Sequence, residues 1–221
     1  MESPLILFFK VLFVTVTLEL QAYGSLGCFE EERIGLLKIK DAFNHPNGSA
    51  LSSWGGEGMD CCMWENVKCD GTTKRIVQIF LNRTKLFELV KNEGDWYLDS
   101  SLFLPFQQLQ NLSLEGNFLK GFQGELRSSK LEYLDLSSNW LTEIPSLSAV
   151  KSLKFLNLEM NRFTNLSDHF RELTTLNNLE MLSLAYNDIS GNIPMSIGAL
   201  TTLKFLSFRN NELSGTLQEG R

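Results

Sequence analysis

The sequence predicts an α/β repeat solenoid, a curved right-handed coil with a parallel sheet on its concave side and a disulfide-stapled cap at its N-terminus. Three observations support this: a leucine pattern recurs along the C-terminal half, an asparagine follows each copy, and four cysteines cluster in the first third. A repeat of this size cannot bury its own apolar side chains. Neighbouring copies must therefore stack and share one continuous core.

Each predicted repeat consists of a short strand and a turn. In Leu179–Asn187, Leu182 and Leu184 alternate as the inward face of a strand requires, and Asn187 follows where the chain turns. The five copies place this asparagine at Asn117, Asn139, Asn161, Asn187 and Asn211. Successive spacings of 22, 22, 26 and 24 residues are typical of leucine-rich repeats. Because each amide can bond backbone groups of two coils, replacing one asparagine should cost on the order of 1–3 kcal/mol.

Composition limits the possible functions. The chain has 221 residues and a formal net charge of −6, which argues against nucleic acid as a partner, because binding it requires clustered Lys and Arg. The two histidines, His45 and His169, accompany neither a nucleophile motif nor a metal-ligand spacing, and no phosphate-binding loop is present. We therefore expect a binding protein rather than an enzyme, with no cofactor and no metal site.

Residues 1–24 are predicted to be a secretory signal peptide. Leu5–Leu18 is an apolar run interrupted by Lys10, and the small residues of Ala22–Ser25 follow it. The run is too short to span a bilayer. A signal anchor is the alternative, because Glu2 offsets the charge of the amino terminus. The signal peptide predicts a protein of the secretory pathway, outside the cell or at its surface.

A cap domain is predicted over residues 25–74. Glu30–Phe43 has the apolar spacing of an amphipathic helix, and its three leading glutamates lie where a helix dipole favours negative charge. The four cysteines of this segment are Cys28, Cys61, Cys62 and Cys69. An even number of clustered cysteines in an oxidising compartment favours two disulfides over a metal site.

Four segments of the cap carry a more specific pattern: EEERIGLLKIKDAF, SSW, CCMWENVKCD and RIVQIFLN. They resemble the N-terminal cap of plant extracellular leucine-rich repeat proteins, specifically the plant receptor-like proteins. GDWYLDSSLFLPFQQL and the LSG and IP signatures of Ile189–Pro194 and Leu213–Leu217 extend the resemblance over the rest of the chain. The resemblance implies the disulfides Cys28–Cys61 and Cys62–Cys69. The residues agree with it, since joining the adjacent Cys61 and Cys62 would be strained.

Residues 75–104 are expected to hold a degenerate first strand and an inserted loop. Ile79 and Leu81 occupy the leucine positions, and Thr84 stands where the asparagine is expected. The polar, acidic segment Phe87–Ser101 exceeds the length of one coil and is predicted to bulge as an ordered loop. Its aromatic pair Trp96–Tyr97 either pins the loop to the flank of the solenoid or contacts a ligand.

Residues 105–221 contain the five repeats, of which the last is incomplete. Side chains that alternate with the inward leucines form three outward columns on the concave wall. The first column comprises Asn111, Tyr133, Phe155, Met181 and Phe205. This apolar column is either a binding stripe or a row of side chains packed on each other. The second column is Ser113, Asp135, Asn157, Ser183 and Ser207, and the third is Glu115, Ser137, Glu159, Ala185 and Arg209. These polar columns are either ligand contacts or an ordinary solvated face.

The candidate ligand contacts on the concave wall are Tyr133, Asp135, Phe155, Asn157, Glu159, Met181, Ser183, Phe205 and Arg209. Glycosylation sequons occur at Asn47, Asn82, Asn111 and Asn165. We expect lower occupancy at Asn111 than at the other three, because a glycan there would point into the concave wall.

The resemblance implies the ligand-recognition module of a plasma-membrane receptor in immune or developmental signalling. Such a module would bind an extracellular peptide, protein or glycan elicitor and signal through a partner receptor kinase. The alternatives are a small secreted binder, such as a polygalacturonase inhibitor-like defence protein, and a soluble co-receptor. No membrane helix or capping repeat precedes Arg221, so we expect a fragment of a longer receptor with an open apolar edge that favours self-association.

Overall fold

The computed structural model describes residues 27–56, 58–164 and 173–214. The predicted signal peptide, the sequon at Asn165, His169 and the end of the fifth repeat beyond Ser214 lie outside the described residues. The helices of the described part are α1 (Glu30–Asn44) and α2 (Phe87–Glu93), with 3-10 helices at Cys61–Met63, Ser100–Phe103 and Met195–Ala199. In chain order the strands are β1 (Val67–Cys69), β2 (Ile76–Phe80), β3 (Tyr97–Asp99), β4 (Asn111–Ser113), β5 (Gly121–Gln123), β6 (Tyr133–Asp135), β7 (Phe155–Asn157), β8 (Met181–Ser183), β9 (Ser190–Gly191), β10 (Phe205–Ser207) and β11 (Glu212–Leu213).

A seven-stranded sheet, here called the main sheet, corresponds to the predicted concave wall. Its strand order is β1-β2-β4-β6-β7-β8-β10, in which the antiparallel pair β1–β2 belongs to the cap and all later pairs are parallel. The main sheet therefore continues from the cap into all five predicted repeats. This arrangement confirms the α/β repeat solenoid.

The repeat leucines are aligned across the main sheet and form its buried side. Leu112, Leu134, Leu156 and Leu182 pair in register from strand to strand, and each is fully buried. Leu206, at the same position in β10, is 38% exposed. The core is thus continuous through the inner coils, and the last described coil covers less of its own leucine.

The asparagine column bonds adjacent coils together, as predicted. Asn139 Oδ1 accepts hydrogen bonds from the backbone N–H groups of Asn117 at 3.0 Å and Leu119 at 2.9 Å. Its Nδ2 donates to the carbonyls of Leu114 and Leu136 at 2.9 and 3.0 Å. One buried amide thus satisfies backbone groups of two coils that no strand pairing reaches.

A left-handed residue precedes each asparagine of the column. The φ angles are 70° at Gly116, 56° at Ser138, 54° at Met160, 53° at Tyr186 and 53° at Asn210. Glycine and asparagine tolerate this region, whereas methionine and tyrosine are strained there. The turn therefore imposes a backbone conformation that the leucine spacing did not reveal.

Two disulfides hold the cap together. The structure joins Cys28 to Cys61 and Cys62 to Cys69, with Cα–Cα distances of 5.7 and 5.4 Å. Helix α1 begins at Glu30, as predicted. The buried rings of Trp54 and Trp64 stack with centroids 6.0 Å apart. The pairing that the resemblance implied is therefore confirmed.

Glu32 does more than place a negative charge at the start of α1. Its side chain is fully buried, and its Oε2 accepts a hydrogen bond from the Ile76 N–H at 3.1 Å. The Nε atom of Arg75 lies 3.3 Å from its Oε1. Burial raises the pKa of Glu32, and the Ile76 hydrogen bond and the Arg75 charge oppose that rise.

The insertion is folded rather than an irregular bulge, which corrects the predicted loop. It contains α2, β3 and the 3-10 helix Ser100–Phe103, and β3 pairs in parallel with β5. Leu98 and Phe103 are 1% and 2% exposed. These apolar side chains join the solenoid core, so burial rather than local turn chemistry decides how the segment folds.

Trp96 pins the insertion to the cap. Its ring packs edge-on against Phe43 of α1, with centroids 5.6 Å apart, whereas the adjacent Tyr97 is 43% exposed. Lys85 is 3% exposed, and its Nζ lies 4.3 Å from the Trp96 ring centroid. The same Nζ donates to the carbonyl of His45 at 2.8 Å, just past the C-terminus of α1, where a helix favours a positive charge.

Two small parallel sheets, β3–β5 and β9–β11, accompany the main sheet. In the part of the chain that the structure describes, no helix is both long and apolar enough to cross a bilayer.

Candidate ligand-binding face

The outward side of the main sheet carries the three predicted columns in register. Strand pairing aligns Asn111 with Tyr133, Tyr133 with Phe155, and Phe155 with Met181, and Phe205 pairs with Met181 on β10. The candidate residues on successive strands therefore form a continuous face, which we call the main-sheet face.

The apolar column combines self-packing with exposure. Tyr133 and Phe155 stack with their ring centroids 4.3 Å apart and their planes inclined by 12°. Both residues are half-buried, as is Met181. Phe205 is 51% exposed. The stack leaves part of each ring accessible, and Phe205 presents the largest apolar surface of the column.

Asp135 organises the face instead of projecting from it. It is 8% exposed. Its Oδ1 accepts hydrogen bonds from the Ser137 N–H at 2.9 Å and hydroxyl at 2.6 Å, and its Oδ2 accepts from Tyr133 Oη at 3.2 Å and Asn157 Nδ2 at 3.3 Å. Ser183 is 4% exposed. Both side chains are thus buried on the face instead of projecting from it, and their part in ligand binding stays a prediction.

Burial and the Asp135 network both raise the pKa of Tyr133. Burial, followed by the charge and hydrogen bond of Asp135, raises the pKa of Tyr133 to about 12. The phenol thus remains a hydrogen-bond donor throughout the physiological range. Its ring is held in place both by the Phe155 stack and by this hydrogen bond.

The third column carries the accessible charges. Glu115 pairs with Arg83 at 3.1 Å and accepts from Asn82 Nδ2 at 3.2 Å. Glu159 is half-buried. Arg209 is exposed, and its guanidinium lies 5.8 Å from the Tyr186 ring centroid. Glu159 and Arg209 remain accessible, as expected for candidate contacts.

Ion pairs border the main-sheet face on the side where the strands begin. Lys154 Nζ lies 2.9 Å from Glu132, and Lys204 Nζ lies 2.7 Å from Glu180. The Lys204 hydrogen bond and charge lower the pKa of Glu180. Glutamate and lysine thus alternate one residue before β6, β7, β8 and β10, a pattern that the sequence also carries.

An aromatic cluster that was not among the predicted candidates lies at the turns. Phe87, Phe118 and Trp140 pack edge-on or tilted at centroid distances from 5.2 to 6.1 Å, and the Arg162 guanidinium lies 4.5 Å from the Trp140 centroid. The last three residues each directly follow a column asparagine. Aligning the residues that follow the column asparagines gives a fourth column, which contains Phe118, Trp140 and Arg162. Phe87 belongs to the insertion and lies outside any such column.

The predicted glycosylation sites differ in placement. Asn47 and Asn82 are exposed, and Asn111 is half-buried on β4, on the main-sheet face as expected. Asn82 is also close to this face through its contact with Glu115. Glycan occupancy at all three stays a prediction.

The described residues offer no group of three or more His, Cys, Asp or Glu side chains that could hold a metal ion. An open depression of about 510 Å³ lies away from the main-sheet face, lined by residues that include Leu104, Phe106, Arg127 and Lys130. The predicted candidates line a continuous sheet face, which suits an extended ligand better than a small molecule.

Comparison with known proteins defines the class. The model for the leucine rich repeat N-terminal domain matches residues 29–70, and leucine rich repeat models match residues 129–172 and 178–200. The ectodomain of the Arabidopsis receptor kinase HAESA, solved with the peptide hormone IDA and the co-receptor SERK1, superposes with a TM-score of 0.68 at 30% identity. That match covers 84% of this chain and 30% of the HAESA chain. The chain is a leucine-rich repeat protein with the corresponding N-terminal cap.

The curated relatives define the family. Receptor-like protein 9a of Arabidopsis thaliana is 35% identical over 199 residues, covering 85% of this chain and 20% of the relative. Cuscuta receptor 1 of Solanum lycopersicum is 30% identical over 239 residues, covering 87% and 21%. The chain belongs to the plant leucine-rich repeat receptor-like proteins. It spans about a fifth of the length of the curated relatives it matches.

Proposed function

We propose that this chain is an extracellular ligand-recognition module of a plant receptor-like protein, acting in immune or developmental signalling. Its ligand would be a peptide, protein or glycan elicitor bound on the main-sheet face. The observation that carries the proposal is the row of partly exposed apolar side chains, Tyr133 to Phe205, aligned across four parallel strands. Exposed apolar rows of this kind mark interaction surfaces.

The geometry of the face suits an extended chain. Adjacent strands lie roughly 4.8 Å apart, and an extended peptide rises roughly 3.3 Å per residue. A peptide running across the strands would therefore meet a new coil about every one and a half residues. A short ligand could thus contact the whole row from Tyr133 to Phe205.

The solved relatives support a peptide ligand and a kinase partner. HAESA was solved with the peptide hormone IDA and the co-receptor SERK1, and the PEPR1–AtPEP1 complex superposes with a TM-score of 0.56 at 26% identity, covering 82% of this chain and 25% of that chain. By analogy we propose that a membrane receptor kinase joins the ligand-bound module at the plasma membrane. Signalling would then pass through that kinase.

A binding experiment with the secreted full chain tests the proposal. The wild type, Phe205→Glu and Met195→Glu would be immobilised and exposed to extracellular fluid from elicited plant tissue, and retained peptides and glycans identified by mass spectrometry. Phe205 is 51% exposed on the main-sheet face, and Met195 is 87% exposed in the 3-10 helix Met195–Ala199, outside that face. We expect Phe205→Glu to lose a ligand that Met195→Glu retains.

Two results would contradict the proposal. Equal retention by both variants would place the ligand elsewhere than on the main-sheet face. Inhibition of a microbial polygalacturonase by the wild-type chain, lost in Phe205→Glu, would favour the secreted-inhibitor function instead.

A further inference from the structure

The middle of the main-sheet face is electronegative. From β4 to β8 the three columns contain the carboxylates of Glu115, Asp135 and Glu159 and no basic residue. At its two ends Arg83 pairs with Glu115, and Arg209 belongs to the last described coil. The lysines along its border, Lys154 and Lys204, are paired with Glu132 and Glu180. A negative region between two positive ends can orient an extended ligand that carries its positive charge in the middle.

Two of these carboxylates have no cationic partner within the described part of the chain. The donors to Asp135 are the neutral groups of Ser137, Tyr133 and Asn157. Glu159 Oε2 accepts only a long contact from Ser183 Oγ, at 3.5 Å, among the described side chains. Neutral hydrogen bonds orient a carboxylate but leave its charge uncompensated.

An aromatic surface adjoins these carboxylates. Phe155 stacks on Tyr133 and pairs in register with Met181, so its ring lies in the column next to that of Asp135 and Asn157. Elsewhere the chain places its own cations over aromatic rings, as Arg162 does over Trp140 at 4.5 Å. A ring face bordered by unpaired carboxylates favours the same kind of cation.

A buried hydroxyl supports this interpretation independently. Ser113 is 2% exposed, and its Oγ has no hydrogen-bond partner among the described residues. It pairs in register with Asp135, and strand alternation directs it to the outward side, opposite Leu112. A buried hydroxyl without a partner is costly, so a polar ligand group would relieve that cost.

We propose that the main-sheet face between β6 and β8 binds a lysine or arginine side chain of an extended peptide. The cation lies beside the Tyr133–Phe155 stack and against the Glu159 carboxylate. The buried Asp135 adds to the negative electrostatic potential at that site. This inference rests on the proposed function and names the chemical class of its ligand. It also gives a role to Asp135, which is hydrogen-bonded on the binding face without projecting into solvent.

Methionine methyl groups give a direct readout in the full chain. The chain has six methionines, of which Met181 lies beside Phe155, whereas Met59 and Met63 lie in the cap and Met195 in a 3-10 helix. With ¹³C-methyl methionine labelling, N-acetyl-arginine amide would be titrated in. Its neutral isostere, N-acetyl-citrulline amide, serves as the matched probe.

We expect the arginine probe to shift the Met181 signal saturably and to leave Met195 unmoved. The citrulline probe should bind more weakly than the arginine probe. Glu159→Gln should lower the affinity for the arginine probe roughly two- to fivefold, as expected for a single partly exposed charge pair. Raised salt should reduce the difference between the two probes. Glu143→Gln, an exposed glutamate outside the three columns, is the control and should leave the affinity unchanged.

Two results would overturn the inference. Equal shifts with arginine and citrulline would show that the charge is not recognised, and an unchanged affinity in Glu159→Gln would place the cation elsewhere. The retention experiment separates these failures from failure of the proposed function. A retained ligand that requires Phe205 but contains no basic residue would sustain the module's function and refute its preference for a cation.

Discussion

Replacing Asn139 by alanine should destabilise the chain by about 2–6 kcal/mol. The Asn139 amide is 3% exposed and accepts hydrogen bonds from the N–H groups of Asn117 and Leu119 at 3.0 and 2.9 Å. Alanine leaves both donors buried without an acceptor, and each such group costs about 1–3 kcal/mol. The carbonyls that lose the Nδ2 donor add to this cost.

The last asparagine of the column provides a matched comparison. Asn211 is half-buried, and its Oδ1 accepts from Ile189 N at 3.0 Å while its Nδ2 donates to the Leu184 carbonyl at 2.8 Å. Water can reach groups released in this outer coil. Asn211→Ala should therefore cost about 0.5–1.5 kcal/mol, clearly less than Asn139→Ala.

Urea unfolding monitored by tryptophan fluorescence would measure the loss of stability in both variants. Equal slopes of the free energy of unfolding against urea concentration would show that both variants unfold to the same extent as the wild type. Native-state hydrogen exchange should show faster exchange of the Asn117 and Leu119 amides in Asn139→Ala. The reasoning fails if the two variants lose equal stability, or if those amides stay as protected as in the wild type.

Three further predictions concern the cap and the turns. Lys85→Met should lower the free energy of unfolding by about 1–3 kcal/mol in denaturant titrations, because the carbonyls of Ala42 and His45 lose their donor; no loss would contradict that role. Since burial raises the pKa of Glu32, the folded state binds its proton more tightly. Its stabilising contribution is therefore complete below the unfolded value of 4.5 and is lost as pH rises through the raised folded-state pKa. Glu32→Gln should remove this slope from the pH dependence of unfolding, and an identical slope would refute the linkage. Met160→Gly should raise the free energy of unfolding by up to about 1 kcal/mol, because φ there is 54°, and thermal unfolding would show a higher melting temperature. A lower melting temperature would show that side-chain contacts outweigh backbone strain.

Much of the architecture could be predicted because it is local. A period of two within each strand and a fixed asparagine after it specify which side chains face inward, so Leu134, Leu156 and Asn139 lie where the pattern placed them. Stacking identical coils then sets the register between strands without further information. The disulfide pairing followed from family resemblance, and the adjacent cysteines agreed with it.

The candidate site was only partly predictable. The pattern placed Asp135 and Phe205 on the same outward face, yet Asp135 is 8% exposed and Phe205 is 51% exposed. The difference depends on local contacts. Asp135 accepts hydrogen bonds from Tyr133 and Ser137 of its own coil and from Asn157 of the next coil. Alternation gives the direction of a side chain, but its exposure is a property of the packed columns.

The sequence by itself determined the solenoid, the strand register, the asparagine column and the set of side chains from which a binding face could be drawn. Only the tertiary structure decided the course of the insertion, the burial of Glu32 and Lys85, and which carboxylates of the face lack a cation among the described residues. Each of these depends on contacts between residues far apart in the chain, such as Glu32 with Ile76 or Lys85 with His45. Repeat periodicity describes each coil alone, and such contacts arise only when the folded coils and cap enclose the same space.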